Sequence, residues 1–369
     1  MLGWEFPPKI SGGLARHCYA LARELVLLGN EVYITIPRKN APLQNEVDGI
    51  KIIKVDYKFE KKTYADEVNT IIYKYSNNVF KTVKNLGVKF DIVHAHDWMN
   101  VRAAIKIRKF FKIPFILTIH SSELDRSGGV LLKKSRVLGV EKLGVKSADA
   151  VISVSKNMAR QIKEVFKIKR EINVIYNGID ISENIKRKEK DYILFVGRLT
   201  EQKGVEYLIY ALLPLIRENR KIKLYIVGKG HLKKSLEKLT DLLGVKDNVK
   251  FLGFVSDKKL IECYKGAKLL VMPSIYEPFG IVALEAMKYK VPTIISKRAG
   301  VAEILKDKEN TILVDPLNIN EFRSAISSCL KNKNLRSKIA SNGYKLIKQL
   351  SWRNIALETL NLYKSLVST

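Results

Sequence analysis

Two carboxylates eight positions apart, Glu277 and Glu285, bracket the stretch of this 369-residue chain whose side chains most directly suggest chemistry. An apolar strand, Leu269-Leu270-Val271-Met272, runs into a Pro/Ser turn and then Glu277. Pro278 follows, and a helix is expected to open near Phe279-Gly280, because proline fits only a first helical turn. At ~1.5 Å per helical residue, the two acids stand on the order of 10–12 Å apart. A sugar nucleotide has that span. The hydroxyls of a sugar and a ribose donate to carboxylates in bidentate fashion, and the free amides and dipole of a helix start suit the pyrophosphate between them. The Phe279, Gly280 and Ile281 amides would face it. Two acids at this spacing describe equally well a dipole-favouring Glu and a solvent-facing Glu.

Cations supply the second set. The run Gly197-Arg198-Leu199-Thr200-Glu201-Gln202-Lys203-Gly204 closes one strand and precedes a helix. Arg198 offers a planar fork and Lys203 a point charge. Cations at a helix N-terminus oppose its dipole, which points to an anion between them. When a glycosidic bond to a diphosphate breaks, charge builds on the leaving phosphate, and fixed cations there stabilise the transition state more than the ground state. Gly228-Lys229-Gly230 forms a similar turn. Gly12 and Gly13, in the loop 9–14, would let the backbone approach a phosphate or sugar closely, though ordinary turns use the same pair. The strand 91–98 ends in His96-Asp97-Trp98, where a parallel sheet places its ligands. An indole stacks on sugars and an acid binds hydroxyls; a core Trp with a helix-capping Asp97 reads equally well. His120 closes the strand 114–120 and by itself reads as structural.

The elements that must hold these groups alternate strand and helix throughout. One set occupies the first half, with a helix over 65–86, and a second set starts at 192–197. A charged linker, 186–190, reads as solvated. Domains are therefore expected over 1–187 and 188–351, with a terminal helix over 352–369 packing back on the first. Met1-Leu2 reads as the tail of a strand that is unusually short or begins upstream.

Composition limits the alternatives. Apolar residues make up 46% of the chain, ample for packed cores, and no apolar run approaches the ~18 residues of a membrane span. The start MLGWEFPP has no basic-then-apolar leader, which gives a cytoplasmic expectation. Cys18, Cys263 and Cys329 lack metal or redox spacing, and the histidines form no ligand set apart from the pair His94 and His96. The net charge of +29 is spread, +12 up to residue 185 and +17 beyond. Such a spread suits a phosphate-rich partner or an anionic membrane; a Lys- and Ile-rich compositional bias would produce it too. A nucleic-acid surface would interleave basic residues with exposed aromatics, whereas most aromatics here fall in strands or apolar helix faces.

The whole string Glu277-Pro-Phe-Gly-Ile-Val-Ala-Leu-Glu-Ala-Met287, with Gly197-Arg198 and Lys203-Gly204, resembles the donor-site signature of the retaining GT-B glycosyltransferases of group 1. That large family includes sucrose, mannosyl and glycogen synthases. Tyr176-Asn177-Gly178-Ile179-Asp180 looks like its interdomain signature, and Ala299-Gly300-Val301-Ala302-Glu303 like the loop after its donor helix. The resemblance covers nearly the whole chain. It implies an α/β, GT-B architecture: two Rossmann-like, doubly wound parallel-sheet domains facing a cleft. It implies retaining transfer of a hexose, glucose or mannose favoured, from a nucleotide-diphosphate sugar to a glycan, lipid-linked or small-sugar acceptor. No metal or other cofactor is implied, and no Asp-x-Asp stands at the expected donor site.

Roles carried over by the resemblance are as follows. Arg198 and Lys203 hold the leaving phosphate, Glu277 the sugar hydroxyls, Glu285 the ribose, and His120 the sugar from the N-terminal domain. Gly12, Gly13, Gly228, Phe279, Gly280 and Ile281 flank the donor, and Glu5, His96, Asp97 and Trp98 fall on the acceptor side. The stretch 121–138, with Gly128, Gly129, Lys133, Lys134 and Arg136, is the least family-like and reads as a mobile acceptor-side loop. Asn30 replaces the usual His of a Gly-His pair. Trp4-Glu5-Phe6 and His96-Asp97-Trp98 favour an α-glucan synthase as the alternative; the second acid and the short chain argue against it. More remote alternatives are a sugar-nucleotide 2-epimerase and a non-enzymatic nucleic-acid-binding protein. The charge adds peripheral contact with the inner face of an anionic membrane.

Overall fold

A computed structural model describes residues 1–9, 12–58, 63–126, 135–181 and 185–367. Gly128, Gly129, Lys133 and Lys134 of the acceptor-side loop, and Ile10 and Ser11 of the glycine loop, lie outside the described residues. The chain divides into two compact units, Met1–Gly178 with Trp352–Thr369, and Ile179–Ser351.

The first unit holds β1 (Tyr33–Pro37), β2 (Glu46–Val47), β3 (Ile50–Val55), β4 (Val93–His96), β5 (Phe115–Ile119), β6 (Ala150–Ser153) and β7 (Asn173–Val174). Two runs, β1-β3-β2 and β4-β5-β6-β7, are joined through Leu2, which bridges in parallel to Thr35 of β1 and Ala95 of β4. Leu2 donates to the His94 carbonyl at 2.8 Å, and its own carbonyl accepts from His96 at 3.2 Å. The residues read as a strand tail thus occupy the centre of the sheet. Only β2 runs antiparallel. The apolar face of helix Gly13–Leu27 and the helix Trp352–Val367 share one core, where Cys18, Leu21, Ala22, Ile355 and Ala356 are all buried. A Cβ at Gly178 would sit 2.8 Å from Trp352 Cδ2, so the chain at 178 and the terminal helix are in close contact.

The second unit holds β8 (Ile193–Val196), β9 (Leu224–Val227), β10 (Val249–Gly253), β11 (Leu269–Met272), β12 (Thr293–Ser296) and β13 (Ile312–Val314). They form one parallel sheet in the order β10-β9-β8-β11-β12-β13. Numbered within the unit this is 3-2-1-4-5-6, the doubly wound dinucleotide-fold order, whose crevice opens beyond the carboxyl ends of β8 and β11, where the winding reverses. Strands such as Leu269-Leu270-Val271-Met272 are apolar at every position because helices cover both faces. Phe195, Leu208, Leu212 and Ile226 anchor one such layer at no more than 1% exposure each. Truncating Phe195 to Ala there would cost about 3–5 kcal/mol, which would threaten the unit's whole stability.

The division at 178/179 falls before the 187/188 expected from composition. The linker is largely solvated, as its charge suggested: Lys186, Lys188, Glu189 and Lys190 are exposed, while the Arg187 guanidinium is docked on the carbonyls of Lys290 and Ala267. A guanidinium with carbonyls to bind is as well satisfied docked as hydrated. Among the described residues, no helix is long and apolar enough to cross a membrane.

Candidate active site

In the second unit, four strand-end turns are stitched together by their backbones. Leu199, after β8, donates to the Lys229 carbonyl after β9 at 2.9 Å, and Leu232 returns a bond to Leu199 at 3.2 Å. Ile275, after β11, donates to the Gln202 carbonyl at 2.8 Å. Gly300, after β12, donates to Glu277 at 2.9 Å, and Val301 to Phe279 at 2.8 Å. Glycine makes the first two approaches feasible. A Cβ at Gly228 would lie 1.9 Å from the Gly197 oxygen, and one at Gly204 would lie 2.2 Å from the Pro273 oxygen; both residues also take positive φ, 136° and 61°.

This stitching brings Lys203 and Glu277 together from 74 positions apart. The Lys203 ammonium donates to Glu277 Oε2 at 2.5 Å, and Ser274 Oγ donates to the same oxygen at 3.2 Å. The two charged side chains are only 16% and 13% exposed. An ammonium carries three N–H groups, so Lys203 can keep Glu277 and still offer two donors to an anion. Arg198 is exposed and makes no ion pair among the described residues. Both cations precede the helix Val205–Glu218, whose N-cap is Gly204.

The donor helix begins later than its sequence suggested. Gly280 is the N-cap, at φ 107°, and the helix spans Ile281–Lys288. Phe279 is buried at 2% and anchors the turn. Glu285 is 9% exposed and accepts from the Tyr264 hydroxyl at 2.6 Å, so it is neither the solvent-facing acid of the bland reading nor an open one. Tyr264, itself 1% exposed, was not picked out by its position in the sequence.

In the first unit, the ends of β4 and β5 and the second turn of helix Gly13–Leu27 bring four imidazoles together. His96 Nδ1 lies 3.1 Å from His120 Nε2. His17 packs edge-on to His120 at 4.4 Å between ring centroids, and its Nδ1 lies 2.7 Å from Asn177 Oδ1. His94 lies against His96 and is bound by Tyr363 Oη at 2.5 Å and Thr118 Oγ1 at 2.7 Å. One nitrogen from each of His17, His96 and His120 lies within 4.8 Å of the others, a set of metal-ligand type that linear spacing did not show. Sequence reasoning flagged His94 with His96 and passed over His17; its only hint was the place one turn beyond the glycine pair.

Burial pushes His17, His94 and His96 well below the ordinary histidine range and His120 down to about 3, so all four are neutral near pH 7. Asp97 is pushed the other way, up to about 6, by burial; Arg126 and the amides of His120 and Ser121 partly offset this. Its Oδ1 accepts the His120 amide at 2.7 Å, and its backbone takes a positive φ of 56°.

Two residues assigned to the acceptor side are therefore turned inward. His96 is 0% exposed and Asp97 is 7% exposed, the latter spent on the backbone that presents His120. Glu5 and Trp98 keep partial exposure, Trp98 on the short turn Trp98–Asn100. Gly12 and Gly13 are exposed, with Gly12 as an extended N-cap and Gly13 opening the helix.

Two family models divide the chain between them: glycosyltransferase family 4 matches residues 11–183, and glycosyl transferases group 1 matches residues 179–346. An uncharacterized glycosyltransferase of Methanocaldococcus jannaschii is 37% identical, covering 99% of this chain and 97% of its own. A glycogen synthase of Mycobacterium tuberculosis is 29% identical over 98% of this chain and 93% of its own. The fold is similar to that of sucrose-phosphate synthase from Thermosynechococcus elongatus, with a TM-score of 0.81 at 23% identity, covering 100% and 96% of the two chains.

Proposed function

The chain belongs to the group 1 glycosyltransferases of GT-B fold, retaining enzymes that move a hexose from a nucleotide-diphosphate sugar to an acceptor; on that premise we propose which residues carry the transfer and what they act on. The Lys203–Glu277 pair carries the reading. It stands at the turn where the sheet winding reverses, near the start of helix Ile281–Lys288 and five residues beyond Arg198, which makes no ion pair among the described residues.

In this reading Lys203 and Arg198 bind the two phosphates and Glu277 the sugar hydroxyls. Glu285, steadied by Tyr264, takes the ribose. The anomeric C–O bond to the diphosphate breaks and its electron pair goes to the leaving phosphate oxygen. That oxygen takes the proton of the acceptor hydroxyl as the new C–O bond forms on the same face. The two cations neutralise charge that grows only as the bond breaks, so they lower the barrier rather than merely tighten binding. His120 serves the sugar end, as the family resemblance assigns it.

The donor sugar is glucose and the acceptor an α-glucan; the full-length likeness to a glycogen synthase supports this, as does the Trp4-Glu5-Phe6 segment. The test is nucleotide release from ADP-, UDP- and GDP-linked glucose and mannose, each with and without glycogen. Turnover of a glucose donor that requires glycogen supports the reading. Slow donor hydrolysis indifferent to glycogen replaces the acceptor, and a mannose preference replaces the sugar.

A second reading, a lipid-linked acceptor at an anionic membrane, is favoured by one surface. Residues 68–90 and 98–122 contain no acid, and the helices Ser76–Lys84 and Val101–Phe111 within them pack on each other. They expose Lys81, Lys84, Lys106 and Lys109 beside Phe110, which is 49% exposed with the Lys84 ammonium over its ring. Each such cation near an anionic bilayer adds about 1 kcal/mol. Pelleting with phosphatidylserine vesicles at low salt, lost on Lys84→Glu/Lys109→Glu, supports this; no pelleting of the parent protein discards it.

A further inference from the structure

The hydrogen bond between His96 and His120 fixes more than a ring position. The backbone of His120 is held by Asp97, at 2.7 Å, and its ring by Nδ1 of His96, at 3.1 Å. His96 ends β4, in register with Thr118 of β5, so the two rings are brought together by strand pairing rather than by a flexible loop. A neutral imidazole carries one N–H and one lone pair, so one ring must donate across this contact and the other accept.

The two arrangements differ at one buried atom. If His120 donated from Nε2, His96 would accept at Nδ1 and carry its own proton on Nε2. That atom is fully buried and has no hydrogen-bond partner among the described residues. An N–H would be stranded there. If His96 donates from Nδ1, its Nε2 is a bare lone pair, and stranded buried N–H groups are the rarer defect in native structures. Relief for such an N–H could come from the neighbouring His17, 5.5 Å away between ring centroids. However, Nδ1 of His17 donates to the Asn177 oxygen, and its Nε2, like that of His96, is buried and makes no bond. Nδ1 of His120, by contrast, is not among the buried orphaned atoms of the described residues.

We propose that His96 is the positioning residue that sets the tautomer of His120: His96 donates from Nδ1 to Nε2 of His120, which leaves His120 presenting an Nδ1–H as its hydrogen-bond donor. The inference rests on the reading that His120 serves the sugar end of the donor. It also gives His96 a use that its burial allows, as contact with an acceptor does not.

Two measurements separate the inference from that reading. In protein labelled with 15N only at its histidines, long-range 1H–15N correlation at pH 7.5 reads each ring nitrogen as protonated or bare. A protonated Nδ1 and bare Nε2 on His120 are expected, and the reverse pattern overturns the tautomer assignment with no reference to activity. Kinetics follow with two substitutions. The side-chain amide of His96→Asn can still donate from the place of Nδ1, whereas His96→Leu cannot. His96→Leu should lower kcat by about 10–100-fold with little change in KM for the sugar nucleotide, and its His120 spectrum should become a tautomer mixture. His96→Asn should retain the parent spectrum at His120 and most of kcat. The expected spectra with equal turnover in all three proteins would leave the tautomer standing and remove His120 from the sugar site. A kcat loss equal in both variants, with unchanged His120 spectra, would make His96 a packing residue and overturn the proposal.

Discussion

Removing Lys203, Glu277 or both tests whether their pair is a catalytic device or only a brace between two turns. The contact is 2.5 Å long with both side chains less than one-fifth exposed, between a solvent-exposed pair worth ~0.2–1 kcal/mol and a buried one whose disruption costs about 3–5 kcal/mol. Each single change to Ala should therefore cost about 1–3 kcal/mol of stability. In Lys203→Ala, Glu277 keeps only the Ser274 hydroxyl on its Oε2, so the loss belongs near the upper end of that range. The double substitution removes both charges at once and should cost about 1–2 kcal/mol less than the sum of the singles. Activity should behave differently. Lys203→Ala should lower kcat by about 10²–10³-fold, corresponding to roughly 3–4 kcal/mol of transition-state stabilisation. In the proposed reading Glu277 binds sugar in both ground and transition states, so Glu277→Ala should raise KM as well as lower kcat. Thermal unfolding and nucleotide release, measured on the same four proteins, give both cycles. Near-parental kcat/KM in both singles, together with the expected stability coupling, would make the pair a brace and sink the catalytic assignment. Strict additivity of stability would deny the pair itself.

Two further predictions follow from buried groups. Tyr264→Phe deletes the 2.6 Å hydrogen bond to Glu285 and should raise KM for the sugar nucleotide several-fold, with kcat nearly unchanged and about 1 kcal/mol lost in stability; an unaltered KM would detach Glu285 from the ribose. The four buried imidazoles make the first unit acid-sensitive. Each is harder to protonate folded than unfolded, so its contribution is complete above the unfolded value near 6.5 and is lost as pH falls from there toward the folded value. At about 1.4 kcal/mol per pH unit, His120 alone forfeits up to ~2 kcal/mol between pH 7 and 5. Asp97 and Glu141, held up at about 6 and about 7 by burial, protonate first in the folded state and return part of the loss. Four imidazoles outweigh two carboxyls, so Tm should fall from pH 7 to pH 5, and calorimetry showing it level or higher would contradict the account.

The sequence by itself determined the architecture of the second unit and the address of its candidate site. Apolar runs such as Leu269–Met272, each followed by a glycine or proline turn, can only be buried parallel strands feeding helices, and ligands gather at their carboxyl ends. Glu277, Arg198 and Lys203 were legible because local chain geometry puts each at such an end, and the identity of the family followed from the same strings. What the tertiary structure decided was which of these groups meet. Lys203 reaches Glu277 because glycine at 204 lets its turn close on the one that begins at Pro273, a property of strand order that no local period encodes. His17, His96, His120 and Asn177 are spread over 161 positions, and only the pairing of β4 with β5 under the first helix collects them. Burial was equally invisible in one dimension. His96 and Asp97 look like a sugar-binding pair at a strand end, yet the sheet seats them behind His120, where the same chemistry serves to hold and orient another residue. The linker shows both sides: its lysines are exposed, as a charged side chain's own preference for water suggests, while the backbone carbonyls that take Arg187 out of water appear only once the unit has folded.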